Sequence, residues 1–502
     1  MTNTLALAPL LMAALAAAAL AWLGMAVALH RTGRVQHGYL HWVMPALLLI
    51  MAAGVWLSGR DLTSHFLGPE FTPDPPRPPL LDVLQPMLSL LLLAISAERI
   101  LTHWLLRRGQ PMAPLLPLSF GLFWLGTIAS PGIFGAHPHW SHNLLYPLVI
   151  GLAATLADRR EQELALRTTC YALLLLMLAG LLLIPIMPTL VLDRQYAQGW
   201  LPGLPRFGGL ATHPVSMGLL AQLGLLCLLA RPLKTVWLNR AAWLMGLAVL
   251  FMAQSKTAWL AFVLCTAVVM VVRGWPRWQA QLGRVQQPTP ALLVLGLVLL
   301  GIVGILVLVV LGDPSGRLER FLLSPEGGQL SAMTGRDRIW AIAWQEWQAH
   351  PWFGWGLPIW DDAYRRAIGM NHATHAHNQL MDTLSRSGLV GAAALLGYAA
   401  VLSALALRHA RATQGLSVAL LLALLLRAGS EVPLLLMGYG PDLIAHLLLL
   451  MTLAAQGVGA ERAAEQSPTP SSGSPAHPAP QRQASPGAAT GRWLTPPEPR
   501  RP

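Results

Sequence analysis

His375 and His377 stand one residue apart, with Asn378 directly after them, at the end of a polar stretch in a chain that is otherwise largely apolar. An imidazole can take a proton from a hydroxyl near neutral pH, since its ordinary pKa is about 6.5. HxH spacing can also hold zinc, but no third ligand adjoins the pair, so no metal is expected here. Upstream, in TGRDRIW, lie Arg336 and Arg338. A guanidinium is always charged and presents paired N–H donors that match a phosphate. Two more cations sit in unusual places. Arg206 lies among glycines and prolines in GWLPGLPRFGGLATHP, with His213 at the mouth of the next apolar run. Lys256 lies in AQSKTAWLAF, and the only other lysine is Lys234. Fixed cations of this kind suit an anionic substrate whose charge grows as a bond breaks.

Each residue also has a plainer reading. Arg206 fits an interfacial anchor, and Arg336 a helix cap or a solvated face. Lys256 fits a side chain that reaches lipid headgroups. His375 and His377 fit an ordinary surface pair. Residue type and spacing leave both sets of readings open.

The elements that must position these residues are apolar helices. The 502 residues are 54% hydrophobic and only 11% charged, against about a quarter charged in soluble domains. Apolar runs long enough to cross a bilayer fall at 5–29, 41–58, 80–97, 112–130, 143–157, 169–191, 209–230, 241–254, 257–272, 291–311, 389–407, 415–433 and 437–456. The expected fold class is all-α, a polytopic transmembrane bundle of about 12 or 13 helices. The first run is too long for a signal peptide and has no basic segment before it, so it reads as an uncleaved helix. The net charge of +12 comes almost wholly from arginine, which points to cytoplasmic loop bias and to no nucleic-acid partner. Cys170, Cys227 and Cys265 lie inside apolar runs with no disulfide or metal spacing.

Arginines follow the first, third, fifth, seventh, ninth and eleventh runs, so every second loop is basic and is expected in the cytoplasm. The remaining loops, 59–79, 131–142, 192–208, the turn near Ser255 and the long segment 312–388, then lie outside, together with the N-terminus. The expected organisation is ten helices with short loops over 1–311, a long external loop over 312–388, C-terminal helices over 389–456, and a tail over 457–502. That tail, rich in Pro, Ser, Ala and Gly, cannot bury enough apolar surface to offset its chain entropy, so it is expected to be disordered.

Within the long loop, Asp337–His350 has helical periodicity. Ile339, Trp340, Ala343, Trp344 and Trp347 share one face, which suits a helix lying at the headgroup level. Pro351, Gly354 and Gly356 end it, and a second polar stretch leads to the histidines just before the expected helix Gln379–Ser387. Asp361, Asp362 and Asp382 are further carboxylates within reach of this region. A transporter would instead place ionisable residues deep in its helices. Arg427 and Glu431 are the main exception, and at four residues apart they can pair along one helix.

In their order, RFGGLATHP at 206–214, SKTAWL at 255–260, TGRDRIW at 334–340, HPWFGWG at 350–356 and HAHNQLMDTLSRSGLVG at 375–391 resemble the O-antigen ligase and polymerase superfamily of bacterial membrane glycosyltransferases. The resemblance implies a multi-pass enzyme of the inner membrane whose active site faces the periplasm. It implies an undecaprenyl-diphosphate-linked glycan as donor, and another glycan or lipid A-core as acceptor, in the presence of membrane lipids. It assigns catalytic roles to Arg206, Arg336 and His377, with Lys256, Arg338, Asn378, His213 and His375 as substrate-binding residues. No cofactor and no metal are implied. SKTAWL and HAHN…LMDTL look closer to polymerases than to ligases, and a non-enzymatic transporter or flippase is the competing class.

Overall fold

The computed structural model describes residues 2–33, 38–62, 78–106, 114–194, 204–282, 336–370 and 373–465. The apolar run 291–311, the first part of the long loop and residues 466–502 of the tail lie outside the described residues. Residues 1–460 form one compact unit, and 461–502 are a second.

Among the described residues the first unit is all-α apart from one ribbon of two two-residue strands. Its apolar helices are α1 (Thr2–Arg31), α2 (Val43–Ser58), α3 (Pro79–Leu106), α4 (Leu115–Trp124) with its continuation α5 (Ser130–Phe134), α6 (Leu145–Ala154), α7 (Arg159–Leu182), α9 (Pro214–Ala230), α10 (Val236–Met252) and α11 (Lys256–Leu282). Short α8 (Pro188–Val191) leads into the ribbon. In the loop region come α12 (Arg336–Ala349) and α13 (Asp362–Ala367), followed by α14 (Gln379–Arg408), α15 (Leu416–Ala428) and α16 (Pro441–Glu465). Among the described residues, six helices are long and apolar enough to cross a membrane, and six more are apolar but shorter. The last helix runs on to Glu465, past the apolar boundary at 456 where the sequence placed the tail.

Two helices form the centre. On α9 nearly every residue from Pro214 to Leu228 is buried, and on α16 Leu443 to Ala455 are buried throughout. A helix that is apolar on all sides buries all sides. The outer helices instead show exposed large apolar residues, such as Leu175 and Leu182 on α7 and Leu244 on α10, as lipid-facing surfaces do. All three cysteines are free and buried.

The loops sort into two ends. At one end the Leu62 amide donates to the Thr189 carbonyl, and the amides of Ala136 and His137 donate to the carbonyls of Gly354 and Trp355. The Arg60 guanidinium there donates to the carbonyls of Leu190, Gly209 and Thr212. At the other end Thr168 Oγ1 donates to the His41 carbonyl at 2.7 Å, and Arg231 pairs with Glu163 at 3.2 Å. Buried pairs His30–Glu98 (2.5 Å) and Arg99–Glu161 (3.0 Å) lie on that side as well. This is the partition that the alternating basic loops require.

Candidate active site

The described part of the long loop folds around a small core of its own, built from Ile339, Ala343, Ile359, Trp360, Tyr364, Met370, Ala373 and Ala376. The expected helix is present as α12, but its apolar residues divide their work. Ile339 and Ala343 are buried, while Trp344 stays 43% exposed. Trp340 donates its indole N–H to the Ala376 carbonyl at 2.8 Å and so ties α12 to the histidine segment. Two motifs that the sequence lists apart form one unit in space. The amides of Leu389 and Val390 donate to the carbonyls of Pro351 and Trp352, and those of Trp355 and Gly356 donate to Ser385 and Arg386. The approach is close enough to need glycine. Gly354 (φ +71°) and Gly388 (φ +61°) both take left-handed backbone, and a Cβ on either would sit 2.4 Å from the facing backbone. Gly388 also divides α14 into the two expected helices.

The histidine segment is clamped on both flanks. Asp382 accepts from the Ala376 amide at 3.1 Å and pairs with Arg386 at 3.1 Å, both carboxylate and guanidinium being buried. Asn378 Oδ1 accepts from the amides of Leu380 and Met381 and caps α14. Between them His377 holds φ +49°, a conformation that costs a residue with a Cβ on the order of 1–3 kcal/mol and clusters at functional sites. Asn378 is one of the residues the resemblance assigns to substrate binding. Its carbonyl oxygen is committed to the helix cap.

What faces both imidazoles is Glu431, on the loop between α15 and α16. Its Oε2 lies 3.4 Å from His375 Nε2 and 3.4 Å from His377 Nδ1, and its Oε1 lies 3.8 Å from Arg336 Nη2. The expected pairing of Arg427 with Glu431 along a helix does not form. Helix α15 ends at Ala428, and Arg427 pairs with Asp442. Burial alone would raise the Glu431 pKa, but the His377 hydrogen bond, Arg427 and the two imidazoles hold it down at about 2. Burial and the neighbouring His377 lower the pKa of His375, against the pull of Glu431 and Asp382.

Glu431 also supplies the third donor that the sequence lacked. Ligand atoms of His375, His377 and Glu431 all lie within 4.8 Å of one another. The protons decide how this group is best described. The His377 amide donates to His375 Nδ1 at 3.1 Å. A neutral imidazole carries one N–H, so the His375 proton sits on Nε2, facing Glu431. A metal there would need a nitrogen already protonated, beside an arginine 3.8 Å from the carboxylate. The cluster therefore fits a carboxylate facing two imidazoles at 3.4 Å better than a metal centre.

Other expected residues fall in different places. Arg338 is exposed and reaches the Ile368 carbonyl at 3.4 Å. Arg206 lies on the ribbon, opposite Asp193, and is 5% exposed. Its Nε donates to the Ala253 carbonyl at 2.9 Å, one turn before Lys256 opens α11. Arg206, facing Asp193 across the ribbon, is thus held three residues from the start of α11 at Lys256. His213 caps α9, its Nδ1 accepting from the Val215 amide at 3.2 Å, so a helix-capping role accounts for it. Among the acids, Asp361 caps α13 and Asp362 pairs with Arg365. Sequence reasoning missed Glu431 and Arg60.

A family model described as O-antigen ligase matches residues 241–396. The match agrees with the resemblance carried by the motifs and points to a membrane enzyme of the ligase or polymerase kind. It spans Lys256, Arg336, His375, His377 and Asn378, and leaves Arg206 and Glu431 outside. No curated protein matches the chain.

Proposed function

We propose that this membrane enzyme of the O-antigen ligase type transfers glycan from an undecaprenyl-diphosphate donor to an acceptor sugar hydroxyl. The reaction takes place on the periplasmic face of the bacterial inner membrane and inverts the anomeric centre. The observation that carries this is the meeting of Arg336 and His377 at one carboxylate, within the matched loop. Two further features support it. Arg206 is tied to the Ala253 carbonyl just before α11 opens at Lys256, which brings the backbone of two cation-bearing segments together for a diphosphate. An apolar groove of about 420 Å³ between α2 and α3, lined by Ile50, Met51, Val55, Leu84 and Leu88, opens beside Arg60 and Thr212. Its lining suits a polyprenyl chain, and Arg60 holds the backbone of the loop that carries Arg206.

In the chemical step the acceptor hydroxyl oxygen bonds to the anomeric carbon and gives its proton to His377. The carbon–oxygen bond to the diphosphate breaks, and the electron pair leaves on the diphosphate, where the arginines stabilise it. No step needs a metal. Of the two acceptors, we favour a second lipid-linked glycan, because SKTAWL and HAHN…LMDTL resemble polymerases. Purified protein given a lipid-diphosphate repeat unit alone is expected to lengthen it. Transfer that appears only when lipid A-core is added makes the enzyme a ligase, and no transfer to either acceptor refutes the proposal.

A further inference from the structure

Outside the matched region, one side chain addresses every candidate catalytic group of the long loop. Glu431 is brought to the site by the turn after α15, where its amide donates to the Arg427 carbonyl at 2.7 Å. Its side chain is only 13% exposed, and it faces His375 and His377 through one oxygen and Arg336 through the other. The charged groups around it are Arg336 on α12, Asp382 and Arg386 on α14, Arg427 on α15, and Asp442 on α16, which takes Arg427.

The hydrogen-bond roles follow from elementary chemistry. A carboxylate only accepts, so each imidazole nitrogen that faces it carries the proton. For His377 that nitrogen is Nδ1, a buried atom with no hydrogen-bond partner among the described residues and Glu431 Oε2 at 3.4 Å, and a proton held there leaves the lone pair on Nε2. For His375 it is Nε2, and its Nδ1 lone pair is already taken by the His377 amide at 3.1 Å. Of the four ring nitrogens, His377 Nε2 alone remains to accept a proton from substrate.

We propose that Glu431 is the positioning residue of this site: it fixes the Nδ1–H tautomer of His377, aims Nε2 at the acceptor hydroxyl and stabilises the imidazolium formed when that hydroxyl gives up its proton. The logic is that of the buried acid in a Ser-His-Asp triad. This rests on the glycosyl-transfer function proposed above. After transfer the proton passes from Nε2 to water, which restores the neutral ring.

The test compares wild type, Glu431→Gln and Glu431→Asp as full-length protein, in single-turnover transfer from a lipid-diphosphate glycan between pH 5 and 8. Loss of an orienting carboxylate costs roughly 10–100-fold where the histidine holds a metal and about 10⁴-fold in a Ser-His-Asp triad. Glu431→Gln should lose at least about tenfold in kcat, with donor KM changing less than kcat because Arg336 keeps its charge and its paired donors. The acid limb of its rate profile should move to lower pH, because an imidazolium without its carboxylate gives up its proton more readily. A merely structural role would leave the limb in place. Should Glu431→Gln fail to fold, Glu431→Asp withdraws the carboxylate by one methylene and is expected to lower kcat in the same direction. An unchanged kcat or an unmoved limb in a folded variant overturns the inference while transfer by wild type upholds the function. Absence of transfer by wild type overturns the function itself. A third arm treats wild type with a chelator and adds back zinc. Activity lost and then restored by the metal would make Glu431 a ligand and overturn its positioning role.

Discussion

Replacing Arg336 tests the diphosphate clamp most directly. Its Nη2 stands 3.8 Å from Glu431 Oε1, with the side chains 26% and 13% exposed. That is beyond hydrogen-bond length, so the guanidinium is held near the carboxylate without being locked to it and can turn its fork toward a phosphate. At an effective dielectric of 20, two unit charges at that distance interact by about 4 kcal/mol before screening. A diphosphate oxygen that comes closer gains at least as much, and more as charge builds on it. Removing one preorganised donor to a developing oxyanion costs about 2.7–4 kcal/mol, or roughly 10²–10³-fold in kcat. Arg336→Ala should fall in that range. Arg336→Lys keeps the charge and loses the paired donors, so it too should drop strongly, by about tenfold or more. Arg338→Ala is the control, since Arg338 is exposed and bonds only weakly, at 3.4 Å, to a backbone carbonyl. The assay is transfer with kcat and KM measured separately, next to thermal unfolding in detergent. Equal losses in kcat and kcat/KM mark an interaction made in the transition state, whereas a rise in KM alone marks ground-state binding. If Arg336→Ala transfers at near the wild-type rate while Arg338→Ala does not, the clamp belongs to the neighbouring arginine. If both are active, the phosphate-clamp idea is wrong.

His377→Ala should lose about 10²–10⁴ in rate with donor binding intact. His375→Ala, whose lone pair is spent on backbone, should stay within about tenfold, the worth of one hydrogen bond, and equal losses in the two would refute the assignment of Nε2. Cysteines placed at exposed Thr374 and Ala412, over a background of three buried native thiols, should be labelled by a membrane-impermeant reagent from opposite faces, and labelling of both from one face would sink the topology. Glu431 has its folded pKa depressed to about 2 from an ordinary 4.5, so its contribution to stability is present above about pH 4.5 and is lost as pH falls toward 2. Over that window the wild-type unfolding temperature should drop more steeply than that of Glu431→Gln, and parallel curves would show that the cluster holds no such energy.

The bundle was legible because its signals are local. Apolar runs mark the helices, and arginines in every second loop mark their sides, so the loops at each end of the structure are those the sequence grouped together. Arg336, His375 and His377 stood out because they lie in the one long stretch rich in arginine and histidine of an otherwise apolar chain. The spacing of HPWFGWG and SRSGLVG had no visible reason until Gly354 and Gly388 were seen to let two backbones touch. Asn378 and His213 carried a signal that chemistry obscured. An Asn before an apolar helix and a His-Pro at another helix start are both capping patterns, and both side chains cap. Glu431 could not be read at all as part of the site. Its sequence neighbour Arg427 offered a partner one helical turn away, and only tertiary contact shows that Asp442 takes that arginine.

Freeing Glu431 from Arg427 is what joins the two halves of the reaction. The proposed base and the proposed clamp residue lie on the same loop but on different elements, His377 at the foot of α14 and Arg336 at the head of α12. Trp340 and Ala376 fix the backbone between them, yet neither side chain touches the other in any described contact. Their common partner is the carboxylate, which offers Oε2 to the imidazole and Oε1 to the guanidinium. A carboxylate on the same loop would move with it. Placed instead on the turn between α15 and α16, next to the buried helix at the centre of the bundle, it refers both groups to the rigid part of the protein. Position within about half an ångström is what proton transfer and charge stabilisation demand. That is a physical reason for the loop to fold down onto the bundle rather than stand apart from it, and for an acid to persist in so apolar a stretch.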